Sequence, residues 1–209
     1  DSGLWIGSAQ GLAYCNLKRQ NFTGHQLLAS DHQQYLFDQS SGKVFATRFY
    51  DNRALIIYKL PTLEKQELPL PGADEERSEP FRIEMTGDGT VWIGATKALY
   101  NYRKEWNEVR KYPLHKEINN IRNPVYVNDM LEDQDGNFWI ACRGILLKRP
   151  AGTDKFTRID SLQTKTGWKR VSDVSLLASG LRGSILMYSQ DLGLIVTDVK
   201  NNATRMIPL

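Results

Sequence analysis

Asp88-Gly89-Thr90-Val91-Trp92-Ile93-Gly94 and Asp135-Gly136-Asn137-Phe138-Trp139-Ile140-Ala141 are two copies of one phrase, a turn dipeptide leading into an apolar run with a tryptophan at its centre. Ser2-Gly3-Leu4-Trp5-Ile6-Gly7 is a truncated third copy. Ser41-Gly42-Lys43-Val44-Phe45-Ala46 and Gly183-Ser184-Ile185-Leu186-Met187-Tyr188 are weaker ones. Anchored on the aromatic or its substitute at 5, 45, 92, 139 and 187, the copies lie 40, 47, 47 and 48 residues apart. A period of that size marks stacked supersecondary units, each unable to bury its apolar face alone.

Around each anchor the same order recurs. A short strand precedes it, as in Phe81-Arg82-Ile83-Glu84-Met85 and Val127-Asn128-Asp129-Met130-Leu131. A second apolar segment follows, as in Ala54-Leu55-Ile56-Ile57-Tyr58 and Gly144-Ile145-Leu146-Leu147. A fourth segment alternates polar and apolar residues, as in Trp106-Asn107-Glu108-Val109-Arg110-Lys111-Tyr112, which suits a half-exposed outer strand. Four strands per repeat, with Asp-Gly and Ser-Gly at the first hairpin turn, predict an all-β β-propeller of about five four-stranded blades. The anchor aromatic is expected to fill the wedge between blades, and the small residue after it to let the chain turn closely. The repeats are bounded at approximately 1–26, 27–72, 73–120, 121–165 and 166–209, a single propeller segment over 1–209.

Composition excludes several classes. The 209 residues are 41% hydrophobic and 24% charged, as in a globular chain with a real core. The 27 basic and 24 acidic residues are mixed along the chain without a basic block, so nucleic acid is not expected as a partner. Apolar runs are strand-sized, far below the roughly 20 residues of a membrane helix. Cys15 and Cys142 fall in different repeats and predict neither a disulfide nor a Cys-rich metal site. The chain starts without Met or signal peptide, which reads as a piece of a longer product, and a ring of seven 47-residue units would make it an arc with unpaired flanks.

Val-Asn-Asp-Met-Leu-Glu-Asp-Gln-Asp-Gly-Asn-Phe-Trp-Ile-Ala at 127–141 resembles the two-component regulator propeller repeat, as does Gly3-Leu4-Trp5-Ile6-Gly7 leading into Gly11-Leu12-Ala13-Tyr14. The resemblance implies the periplasmic sensor region of a Bacteroidetes hybrid histidine kinase, detecting oligosaccharides and passing the signal to a kinase outside these residues. It implies as partners the remaining blades and an immunoglobulin-like domain of a parent receptor. The alternative is a protein-association scaffold or dimerisation module, a homodimer without its own small ligand.

The loops from second to third strand, and from fourth strand to the next first strand, open on one face of such a disc. Sugar binding there needs a flat aromatic and planar hydrogen-bonding groups. Trp168 with Arg170, Arg143 and Arg122 is the leading candidate set, joined by Arg53 and Gln190 from neighbouring loops. The alternative is that Trp168 packs at a blade junction and the arginines are solvated. Asp133-Gln134-Asp135-Gly136-Asn137 opens like a calcium loop, but Phe138 and Gly144 occupy its sixth and twelfth positions, so a hairpin turn is expected. His25, His32 and His115 stand outside any nucleophile-base or metal pattern. No catalytic residue, metal site or cofactor is expected.

Overall fold

The repeat folds as a series of antiparallel sheets in a computed structural model, which describes residues 3–8, 11–16, 21–25, 32–50, 52–112, 114, 126–165, 167–171, 173–199 and 203–207. The first sheet has β1 (Gly3–Ser8), β2 (Gly11–Asn16) and β3 (Asn21–His25). Three four-stranded sheets follow, each in sequence order from centre to rim. Blade 2 is β4 (His32–Asp38), β5 (Lys43–Arg48), β6 (Ala54–Lys59) and β7 (Glu64–Pro69). Blade 3 is β8 (Pro80–Met85), β9 (Val91–Ala95), β10 (Leu99–Arg103) and β11 (Glu108–Tyr112), entered through a one-turn helix α1 (Ala73–Glu76). Blade 4 is β12 (Val127–Glu132), β13 (Phe138–Cys142), β14 (Ile145–Arg149) and β15 (Thr157–Ile159).

The fifth blade departs from four strands. Its own β18 (Val174–Ser179), β19 (Ser184–Ser189), β20 (Gly193–Asp198) and β21 (Ala203–Ile207) are extended by a hairpin of β16 (Ser161–Thr164) and β17 (Gly167–Arg170). That hairpin docks on β21 through a parallel bridge, Thr164 to Thr204, to give the order β17-β16-β21-β20-β19-β18. The segment expected as an inter-blade loop is therefore a strand at the rim.

The core lies between the blades. Phe45, Leu55 and Ile57 of blade 2 pack on Ile83, Val91, Ile93 and Tyr100 of blade 3. Trp92 and Leu99 pack on Met130, Phe138 and Ile140 of blade 4, and Trp139 and Leu146 on Val174, Leu177 and Ile185 of blade 5. Phe45, Trp92 and Trp139 thus each point at the following blade, filling the wedge as expected.

The fifth anchor must be corrected. Leu186 stands opposite Ala178 as Trp139 stands opposite Leu131, so the equivalent of the tryptophan is Leu186 and not Met187. Met187 points back into the blade 4–5 core. Successive anchors from Phe45 to Leu186 are then all 47 residues apart. The role of the small residue after Trp92-Ile93 also differs from expectation. A Cβ on Gly94 would lie 2.6 Å from Val127 Cγ1, so glycine admits the first strand of the next blade.

The first hairpin turn repeats with the same period. Gly42, Gly89, Gly136 and Gly183 all have positive φ, between 63° and 78°, which only glycine adopts freely. Asp133 caps one such turn, accepting from the backbone N–H groups of Asp135 (3.0 Å) and Asn137 (2.8 Å). The Asp133–Asn137 segment is this hairpin turn. Cys142 is a free thiol buried in β13, where burial pushes its pKa up to about 12. Cys15's side chain lies outside the described residues.

Candidate functional site

First strands of successive blades adjoin around the centre, and each of β4, β8, β12 and β18 carries a register shift near its start. The extra residues are Gln33, Phe81, Asn128 and Ser175. Bulges recur where a sheet must re-aim a side chain out of the ladder. The inner strands are also laced together. Arg82 Nε donates to the Asn128 carbonyl (2.8 Å), Asn128 Nδ2 to the Val174 carbonyl (2.8 Å), and the Leu177 N–H to Asp129 Oδ2 (2.8 Å).

This scaffold supports a cavity of about 620 Å³ between blades 4 and 5. It opens on the face where first strands begin and second strands end. Bulge residues Asn128 and Ser175 line it, with Tyr126 and Asp173 just ahead of their strands. Arg143 enters from the β13–β14 turn, Tyr188 from the end of β19 and Gln190 from the β19–β20 turn. The Arg143 N–H donates to the Tyr126 carbonyl (2.9 Å), and the Tyr126 ring leans on Phe81 at 4.9 Å between centroids. Asp173 is held at φ 36°, a backbone region rare for non-glycine residues.

The side chains of Arg143, Asp173 and Gln190 are exposed and make no hydrogen bond among the described residues. The cavity thus offers a guanidinium, a carboxylate and a carboxamide near Tyr126 and Tyr188. Such a set suits a polyhydroxylated ligand, whose hydroxyls both donate and accept and whose ring faces stack on aromatics. Among the described residues the lining contains neither histidine nor cysteine.

Of the residues expected from sequence, the structure brings Arg143 and Gln190 together. Trp168 and Arg170 sit on β17 at the far edge of the fifth sheet, four strand spacings from Tyr188 on β19, or about 19 Å. Trp168 is 68% exposed there and packs at no blade junction. Arg53 instead holds α1, its guanidinium pairing with Asp74 at 2.9 Å while its N–H donates to the same carboxylate (3.2 Å). Arg122 lies outside the described residues. Sequence reasoning missed Tyr126, Asn128, Asp173, Ser175 and Tyr188. The available signal was the 47-residue offset from Asn128 to Ser175, which marks them as one position of the repeat.

Fold and site together define an all-β propeller with a ligand-sized cavity on one face. Residues 121–144 match the family model described as the two-component regulator propeller. No curated protein matches the chain. Among solved structures it is similar to the extracellular domain of the putative hybrid two component system BT4673 from B. thetaiotaomicron, with TM-score 0.73 and 18% identity over 99% of this chain and 26% of that one. It also resembles the extracellular domain of BT3049 from the same organism, with TM-score 0.68 and 17% identity over 99% of this chain and 27% of that one. PorZ, a surface component of the type-IX secretion system of Porphyromonas gingivalis, gives TM-score 0.70 at 11% identity over 99% of this chain and 32% of that one. The chain spans about a quarter of the length of the two-component ectodomains it matches, and at these identities the likeness is one of fold.

Proposed function

We propose that the chain is the ligand-sensing propeller segment of an extracytoplasmic, periplasmic receptor region of a hybrid two-component system, and that its cue is an oligosaccharide. The observation that carries this reading is the cavity between blades 4 and 5, where Arg143, Asp173 and Gln190 stand without side-chain partners beside Tyr126 and Tyr188 among the described residues. The two-component character of the matched repeat supports the sensor assignment. Signal transfer belongs to a kinase elsewhere in the parent receptor, and the segment itself performs no turnover. A ligand shifts a receptor only by binding one arrangement more tightly than another, and a cavity shared by two blades is suited to that discrimination.

The test is thermal unfolding of the purified chain against a panel of plant and host oligosaccharides. A ligand at 100 times its dissociation constant adds about 2.7 kcal/mol of stability. One glycan class should raise Tm reproducibly, and Arg143→Ala with Tyr188→Ala should abolish the rise. A cooperative transition that no glycan moves would sink the reading.

The alternative is association of receptor chains. Sedimentation at increasing concentration separates the two: a dimer without glycan response favours association.

A further inference from the structure

On the face opposite the candidate site, where hairpin turns join first to second strands, a second cavity of about 450 Å³ lies between blades 2 and 3 and reaches Glu132 of blade 4. Its apolar part is formed by Phe45, Met85 and Tyr102, the two rings lying 6.2 Å apart. Tyr102 is only 4% exposed, yet its hydroxyl has no hydrogen-bond partner among the described residues. The hydroxyl opens on the cavity and offers a ligand atom both a donor and an acceptor.

The charge around this opening is unbalanced. Among the described residues four carboxylates line it, Asp38, Asp88, Glu105 and Glu132, against two lysines, Lys43 and Lys104. Asp88 is neutralised by Arg103 at 2.9 Å. The hydroxyls and N–H groups of Ser40 and Ser41 donate to Asp38 and hold its carboxyl below the usual carboxylate range, and the Gly87 N–H donates to Glu132. Glu105 is exposed at the mouth with no ion pair among the described residues. The same negative field acts behind the wall, where burial together with Asp129 and Glu132 pushes the Glu84 carboxyl up to about 7. Burial and the charge of Glu105 raise the Tyr102 pKa, which keeps the phenol neutral and able to accept a hydrogen bond.

We propose that this cavity binds a small organic cation, an ammonium group on an apolar stem, with the ammonium between Glu105 and the Tyr102 hydroxyl and the stem against Phe45, Met85 and the Tyr102 ring. An ammonium donates to both oxygens, and aromatic walls attract cations where they exclude anions. Lys104, beside Glu105 in sequence, competes for the same carboxylate and limits the affinity.

The experiment is calorimetric titration of the chain at pH 7 and low salt with 2-phenylethylammonium, against 3-phenylpropionate as the anionic match and 2-phenylethanol as the neutral one. Saturable binding of the ammonium alone is expected. Glu105→Gln and Tyr102→Phe should each weaken it by about tenfold, Lys104→Gln should tighten it, and Asp173→Asn on the other face should leave it unchanged. Glu105 lies in an exposed turn and Tyr102→Phe keeps the ring, so both variants should unfold at the parent's Tm. Absence of saturable heat, equal binding of the anion or the alcohol, or insensitivity to both weakening substitutions would overturn the proposal. Glycan binding is read at the opposite face, so either result stands apart from the sensing reading.

Discussion

Trp92 and Trp139 occupy the same position one repeat apart and are equally buried, at 2% and 3% exposure, but their indole N–H groups meet different fates. Trp139 Nε1 donates to Asp133 Oδ2 at 2.8 Å. Trp92 Nε1 is buried without a partner among the described residues. The residue at the place of Asp133 in blade 3 is Thr86, whose hydroxyl is engaged by Asp88 Oδ1 at 2.6 Å. The strand neighbour differs too: Trp139 stands opposite Leu131, Trp92 opposite Glu84. Trp92 gains instead from rings, with Tyr112, Phe138 and Phe156 at 5.4, 5.2 and 6.0 Å and the Arg149 guanidinium 5.1 Å from its centroid. The repeat dictates where a large aromatic goes, and two neighbouring residues decide how its one polar atom is treated.

The largest effect tests what the two blades share. Trp92→Ala and Trp139→Ala should each cost about 3–5 kcal/mol in urea unfolding, because either empties a blade wedge. A loss below about 1 kcal/mol at one of them would show that its wedge is not part of the cooperative core.

The next effect tests blade 3's acidic neighbour. Glu84 has a folded pKa raised from 4.5 to about 7, so the folded state holds its proton more tightly than the unfolded chain. Its contribution is free of penalty below about pH 4.5 and becomes unfavourable as pH rises through 7, by on the order of 2 kcal/mol. Glu84→Gln should therefore be more stable than the parent at pH 8 and equal to it at pH 4.5. Equal stabilities at pH 8 would remove Glu84 from the comparison.

Phenylalanine sharpens the contrast itself. Trp139→Phe strips Asp133 of a donor, whereas Trp92→Phe deletes a donor that has no acceptor, so the first should cost about 1.5 kcal/mol more. Equal losses would mean that the Asp133 bond adds nothing. The smallest effect is expected outside the wedges: Trp168→Ala should stay within about 0.5 kcal/mol of the parent, since the ring is exposed at the rim.

Much of the fold is legible in the sequence because turn glycines and wedge aromatics are imposed locally at every repeat. The departures are also local in cause. Met187 reads as the fifth anchor in place of Leu186 because both are apolar, and a one-residue shift in a strand exchanges its two faces. Lys165–Arg170 reads as a loop because its polar and glycine content suits a turn, yet the hairpin it forms is held by β21, a strand from the far end of the chain. Arg143 and Gln190 are accessible to sequence reasoning as turn residues after second strands. Tyr126, Asp173 and Tyr188 are not, because a strand-end residue looks alike whether it faces a core or a cavity.

A β-propeller repeat of 47 residues, its four-stranded plan and the residues that wedge successive blades apart are all written in the order of residues. Those features depend on turn chemistry and alternation within one unit. Tertiary structure alone decided which side chains meet at the two faces, that the fifth sheet carries six strands, and that Trp168 lies about 19 Å from the cavity it was expected to line. Each of these depends on how one blade abuts the next, and strand patterning within a single repeat carries no record of that distance.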